Sequence, residues 1–87
     1  MGLDIVELVL AIEEEFRVHL PNGEVAKMER VGDVADWILA EMAREGRGFM
    51  SEEEVWDRLQ EIIVRQTGVP YVEVTREAKF VDDLGLD

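Results

Sequence analysis

The chain has 87 residues, no cysteine, a single histidine (His19) and a formal net charge of −12, from 21 acidic against 9 basic side chains. That length holds one small domain. Disulfides and thiolate metal sites are excluded, as is a multi-histidine zinc site. So acidic a chain repels phosphate backbones and anionic lipid, so neither nucleic acid nor a membrane is expected as a partner.

Hydrophobic residues make up 47% of the chain, which suits a packed core rather than disorder. The longest uncharged apolar run, Leu8 to Ile12, falls far short of a membrane span. Residues 1–16 carry five acids and no base, the reverse of a signal peptide. Met1-Gly2 hints at myristoylation, but Val6 stands where that pattern wants Ser or Thr. The expected setting is a reduced, cytoplasmic compartment.

Segment 3–16, LDIVELVLAIEEEF, has apolar residues at 5, 8, 9, 12 and 16, with Val6 and Leu10 widening the stripe, which is helical spacing. The other face carries Asp4, Glu7, Glu14 and Glu15. A solvated polar face is the simple reading. Yet Glu13, Glu14 and Glu15 lie at the C-terminal end, where the helix dipole prefers cations. Local stability does not account for that cluster, and docking of a basic partner does. Pro21-Asn22-Gly23 signals a turn, and Glu24 to Met28 holds one or two helical turns.

Segment 31–45 is helical again, with Val31, Val34, Ile38 and Met42 on one stripe, Trp37 beside it, and Gly46 at the C-terminal cap. Ser51 with Glu54 three residues later is a capping box that opens a helix over 51–66. Its stripe is Val55, Trp56, Leu59, Ile62 and Ile63, and Gly68 and Pro70 end it. Residues 71–79 read as a loop, with Tyr71 to Val74 the one short stretch resembling a strand. The tail is apolar at Phe80, Val81, Leu84 and Leu86. Trp37 and Trp56 are expected in the core, and His19 as an ordinary loop residue. Asp82, Asp83 and Asp87 do not have the spacing of an EF-hand, so no dedicated metal site is expected. Three amphipathic helices and one or two short ones make a small all-α bundle.

LDIVELVLAIEEEF resembles the second helix of acyl carrier proteins, with its acidic face ending in Glu-Glu-Glu-Phe. The resemblance continues through the loop and short helix at 21–28 to Val31-Gly32-Asp33 and the last helix, over residues 1–45. Residues 51–87, from EEEVWDRLQEIIV to FVDDLGLD, resemble the family's first helix and the loop after it, but they follow instead of preceding. Residues 46–50 form the bridge. The resemblance therefore implies one acyl-carrier-like bundle over 1–87, three to four helices in circularly permuted order. It implies a first family helix antiparallel to the second and a last helix roughly parallel to it. Five bridging residues reach at most about 17 Å, enough to join neighbouring helix ends. A monomer and a domain-swapped homodimer both satisfy this.

Carriers of this family attach 4′-phosphopantetheine to the serine of Asp-Ser-Leu. The alignment sets Gly2 at that serine and Asp87 at the aspartate. Glycine has no hydroxyl, Ser51 is explained by its cap, and Thr67 and Thr75 lie outside the motif, so the expectation is no cofactor. The helices around the family's acyl space should then simply pack together. The matching docking residues are the acids Asp4, Glu7, Glu13, Glu14, Asp83 and Asp87 and the apolar Leu3 and Val6. Their implied partners are basic-surfaced synthases or transferases of acyl or polyketide metabolism. No nucleophile–base pair supports an enzyme. The leading function is a non-catalytic docking module. A genuine carrier with another attachment site or a noncovalent arm, and a purely structural helical domain, stay open.

Overall fold

The computed structural model describes residues 3–46 and 50–86, with side chains from residue 4 onward. Four helices follow in chain order: α1 Leu3–Phe16, α2 Asn22–Val25, α3 Val31–Arg44 and α4 Glu52–Thr67, with a single 3₁₀ turn at Tyr71–Glu73. No strand forms among the described residues; Arg30 and Lys79 make one isolated antiparallel bridge. The fold is the small all-α bundle the periodicity implies.

Each long helix buries one stripe. Leu8, Ile12 and Phe16 of α1 repeat every four residues and are buried. Val31, Val34, Ile38 and Met42 of α3 and Val55, Leu59, Ile62 and Ile63 of α4 join them. These spacings put the side chains on single faces. α4 packs against both α1 and α3. Arg58, early in α4, reaches Glu15 at the end of α1 at 2.8 Å. Arg65, late in α4, shares a groove with Ala11. The core closes with Val74, Ala78, Phe80, Leu84 and Leu86 from the C-terminal segment.

The helix ends follow local chemistry. The Ser51 hydroxyl accepts the Glu54 amide at 3.2 Å and donates to the Glu54 carboxylate at 3.4 Å. Three acids in the first turn of α4 favour its positive end. Ser51→Ala is expected to cost about 1 kcal/mol, read as a lower urea midpoint at unchanged slope. α4 ends where Gly68 turns to φ 78° and its amide reaches the Val64 carbonyl at 2.9 Å. That left-handed conformation suits a residue without Cβ. The Thr67 hydroxyl donates to the Ile63 carbonyl at 2.6 Å and accepts the Val69 amide at 3.2 Å. At the start of α3, an Asp33 carboxylate oxygen accepts the amides of Glu29 and Arg30 at 3.1 and 3.0 Å.

Some expectations need correction. The short helix starts at Asn22 rather than Glu24 and ends at Val25, because Pro21 is preset for entry into a helix and its carbonyl accepts the amides of Glu24 and Val25. Tyr71 to Val74 is not extended: the Glu73 and Val74 amides turn back to the carbonyls of Pro70 and Tyr71 at 3.0 Å. Leu10 and Val81 are 58% and 60% exposed, so neither belongs to the core. Trp37 and Trp56 are half-buried and pack against the core edge. The Arg76 guanidinium stands 5.9 Å from the Trp56 ring centroid. A hydrogen bond from Arg76 to Asp36 at 2.7 Å, and the Asp36 charge, raise the Arg76 pKa above its ordinary value.

Candidate functional site

The outer face of α1 carries Asp4, Glu7 and Glu14, all exposed. Val6 and Leu10 lie one turn apart along this helix and are 39% and 58% exposed. Both line a recess with Val9, Glu13, Leu20 and Pro21. The surface is therefore an apolar strip set among carboxylates. Leu10 was not among the residues expected here, because its spacing fits a wide core stripe equally well. The signal that separates the two is α4, which covers only the face carrying Leu8, Ile12 and Phe16.

The run Glu13-Glu14-Glu15 does not act as one unit. Glu13 Oε2 accepts the Leu20 amide at 2.7 Å and lies 3.2 Å from His19 Nδ1, with only 22% of the Glu13 side chain exposed. Glu15 pairs with Arg58. Two of the three acids thus hold the following loop and α4, which corrects the expectation that local stability plays no part in the cluster. Glu14 lines a groove with Arg17 and Arg65. His19 is an exposed loop residue. Asp83 is exposed, and its carboxylate accepts the Lys79 amide at 2.8 Å, so it closes the turn before Leu84. Gly2, Asp87 and the Leu3 side chain, all singled out from sequence, lie outside the described residues.

Beneath α1 lies a cavity of about 370 Å³. Ile5, Leu8 and Ile12 line it from α1, Leu20 and Val25 from the next segment, and Phe80 from the C-terminal loop. Every lining residue is apolar. The space between the helices is therefore open, against the expectation that these side chains simply pack together. Val34 of α3 completes the lining, and no residue of α4 takes part in it. A second recess beside Ile5 is lined by Phe80, Val81 and Asp82, so the start of α1 and the approach to the C-terminus meet at one end of the molecule.

The chain is 53% identical over 39 residues to the acyl carrier protein of Clostridium acetobutylicum, covering 45% of this chain and 51% of the relative. It is 50% identical over 37 residues to the acyl carrier protein of Wolinella succinogenes, covering 42% and 49%. It is 51% identical over 40 residues to acyl carrier protein 3, mitochondrial, of Arabidopsis thaliana, covering 46% and 30%. The chain spans about half the length, or less, of these curated relatives. No family model matches the chain, and no solved structure matches it. Over the matched stretch the chain is similar to acyl carrier proteins.

These relatives overturn one expectation. The absence of a serine at position 2 implied no cofactor, but the chain's relatives are acyl carrier proteins, and that family's prosthetic group is 4′-phosphopantetheine. The wholly apolar lining of the cavity is compatible with an alkyl chain. No helix of the described residues is long and apolar enough to cross a membrane.

Proposed function

We propose that this chain is a non-catalytic acyl-carrier-type module. Its α1 face docks basic-surfaced enzymes of acyl-chain metabolism, such as synthases or transferases, in a cytoplasmic setting. The observation that carries this reading is the juxtaposition of two features on one helix: exposed Asp4, Glu7 and Glu14 around Val6 and Leu10 outside, and the apolar cavity inside. When bound, the family's prosthetic group supplies a thiol that holds an acyl chain as a thioester. Ile5, Leu8 and Ile12 would shelter that chain from water, and the carboxylates would steer the module onto a partner.

An acidic patch raises the encounter rate with a basic one and weakens with salt. Glu13 contributes less than its neighbours, since a partner would have to compete with the Leu20 amide for it. The domain is one permuted bundle over 1–87. Support for the permuted order comes from the meeting of Ile5 with the 80–82 segment, and from matches that cover about half of this chain and half of the bacterial relatives.

The test is binding to an acyl-chain synthase or transferase with a basic surface patch, measured by surface plasmon resonance across a salt series. Glu7→Lys with Glu14→Lys is expected to weaken binding at least tenfold at low salt, about 1.4 kcal/mol. Charge reversal at Glu52 and Glu53, on another helix, is expected to change it little. Equal effects of the two variants would mean that net charge alone governs association.

A further inference from the structure

Residues 76–80 are fastened to the start of α3 and the residues before it by three backbone bonds. The Gly32 amide donates to the Arg76 carbonyl at 2.9 Å, the Val31 amide to the Ala78 carbonyl at 3.0 Å, and the Phe80 amide to the Glu29 carbonyl at 3.1 Å. All three lie along one short strip of chain. The strip itself buries only Ala78 and Phe80. Phe80 is also part of the wall of the cavity beneath α1.

The strip carries charge of the opposite sign to the chain. Residues 76–80 hold two bases and one acid, in a protein of net charge −12. Both cations face carboxylates of the segment they cover. Arg76 Nη2 stands 2.7 Å from Asp36 Oδ1, and Lys79 Nζ stands 3.6 Å from Glu29 Oε1. Lys79 Nζ is also 4.0 Å from Asp82, just past the strip. On the α4 side, the Arg76 guanidinium lies over the Trp56 ring, and the Glu52 charge adds to the attraction on Arg76. The four paired side chains range from 33% exposed at Lys79 to 63% at Glu29, so dissolved ions reach all of them. Exposed pairs of this kind weaken as salt is added.

The rest of the molecule responds with the opposite sign. Repulsion among like charges works against a compact acidic chain, and salt screens that repulsion. Added salt therefore strengthens the fold as a whole while it loosens the strip. The two signs distinguish local release from unfolding.

We propose that residues 76–80 form a charge-held strap that lifts from α3 as one unit, more often as ionic strength rises, and uncovers the Phe80 side of the cavity while the helices stay folded. The pairs Arg76–Asp36 and Lys79–Glu29 are its fasteners. The strap is independent of the docking reading, since none of its residues lies on α1.

The test is amide hydrogen exchange of the full chain, read residue by residue by nuclear magnetic resonance at low and high sodium chloride. Between about 0.02 M and about 0.5 M salt, exchange at the Val31, Gly32 and Phe80 amides is expected to quicken about threefold. Exchange at the Leu59 and Ile63 amides of α4, which follows global unfolding, is expected to slow. Arg76→Gln with Lys79→Gln is expected to give the fast strap exchange already at low salt and to abolish the acceleration, with an unchanged circular dichroism spectrum. Asp36→Asn with Glu29→Gln is expected to do the same from the other side of the pairs, which loss of the arginine and lysine stems alone would not. The strap is overturned if its three amides slow with salt in step with Leu59, if they respond separately from one another, or if either double variant keeps the acceleration.

Discussion

Leu59→Ala is expected to lower the unfolding free energy by about 2–5 kcal/mol. Leu59 is fully buried at the middle of α4, the helix that touches both α1 and α3. Truncation removes three carbons from the core cluster that α4 shares with α1 and α3, and helices packed on two sides limit collapse into the space. A domain of this length has a total stability of about 4–13 kcal/mol at the usual 0.05–0.15 kcal/mol per residue. The substitution therefore removes a large share of it. Urea titration followed by far-ultraviolet circular dichroism reads the loss, and a change under 1 kcal/mol would mean that α4 is not the centre of the core.

Gly32→Ala is expected to destabilise by about 1–3 kcal/mol, with Gly32→Val worse. On helix propensity alone the sign would be opposite, since alanine gains about 1 kcal/mol over glycine inside a helix. The deciding fact is the neighbour. A Cβ at position 32 would stand 2.9 Å from the Arg76 carbonyl oxygen, a backbone atom with no rotamer to escape into. That oxygen also accepts the Gly32 amide at 2.9 Å, and the next pair, Val31 amide to Ala78 carbonyl, is 3.0 Å. Moving the 76–78 segment away to admit a methyl group breaks both bonds. Thermal unfolding of the alanine variant checks this, and a raised melting temperature would show that the close approach exerts no control.

These two sites differ in how far they were legible in the sequence. Leu59 lies on a stripe that periodicity alone identifies. So do the ends of α1 and α3 and the cap at Ser51, because each depends on residues within one or two turns of chain. Gly32 stands in a Val-Gly-Asp run whose resemblance to a family was plain, but its reason was not. The carbonyl that excludes a side chain belongs to Arg76, 44 positions away, and no local pattern encodes that approach.

The site was legible in the same uneven way. The acids of α1 and Val6 follow from the sequence, and Asp4, Glu7 and Glu14 do face solvent. Glu13 was counted with them, since a run of identical acids looks uniform on paper. Its bond to the Leu20 amide depends on how the chain turns after Phe16, where Arg17 adopts φ 54°. The space between the helices was expected to be packed, and it is open. Composition counts apolar residues without saying whether they fill the space between them.

The central position of α4 has a further consequence. Segment 3–46 contributes α1 and α3, whose buried stripes both face a helix that lies beyond the bridge. Segment 50–86 contributes that helix and the loop residues Val74, Ala78, Phe80, Leu84 and Leu86, but no second long helix. Neither half has a core of its own, so the seam between them is the core itself. A single backbone cut between Gly46 and Met50 would sever the covalent link while leaving the buried seam intact. The two peptides should then behave as complementary fragments, each unstructured when separated and each ordering the other on mixing.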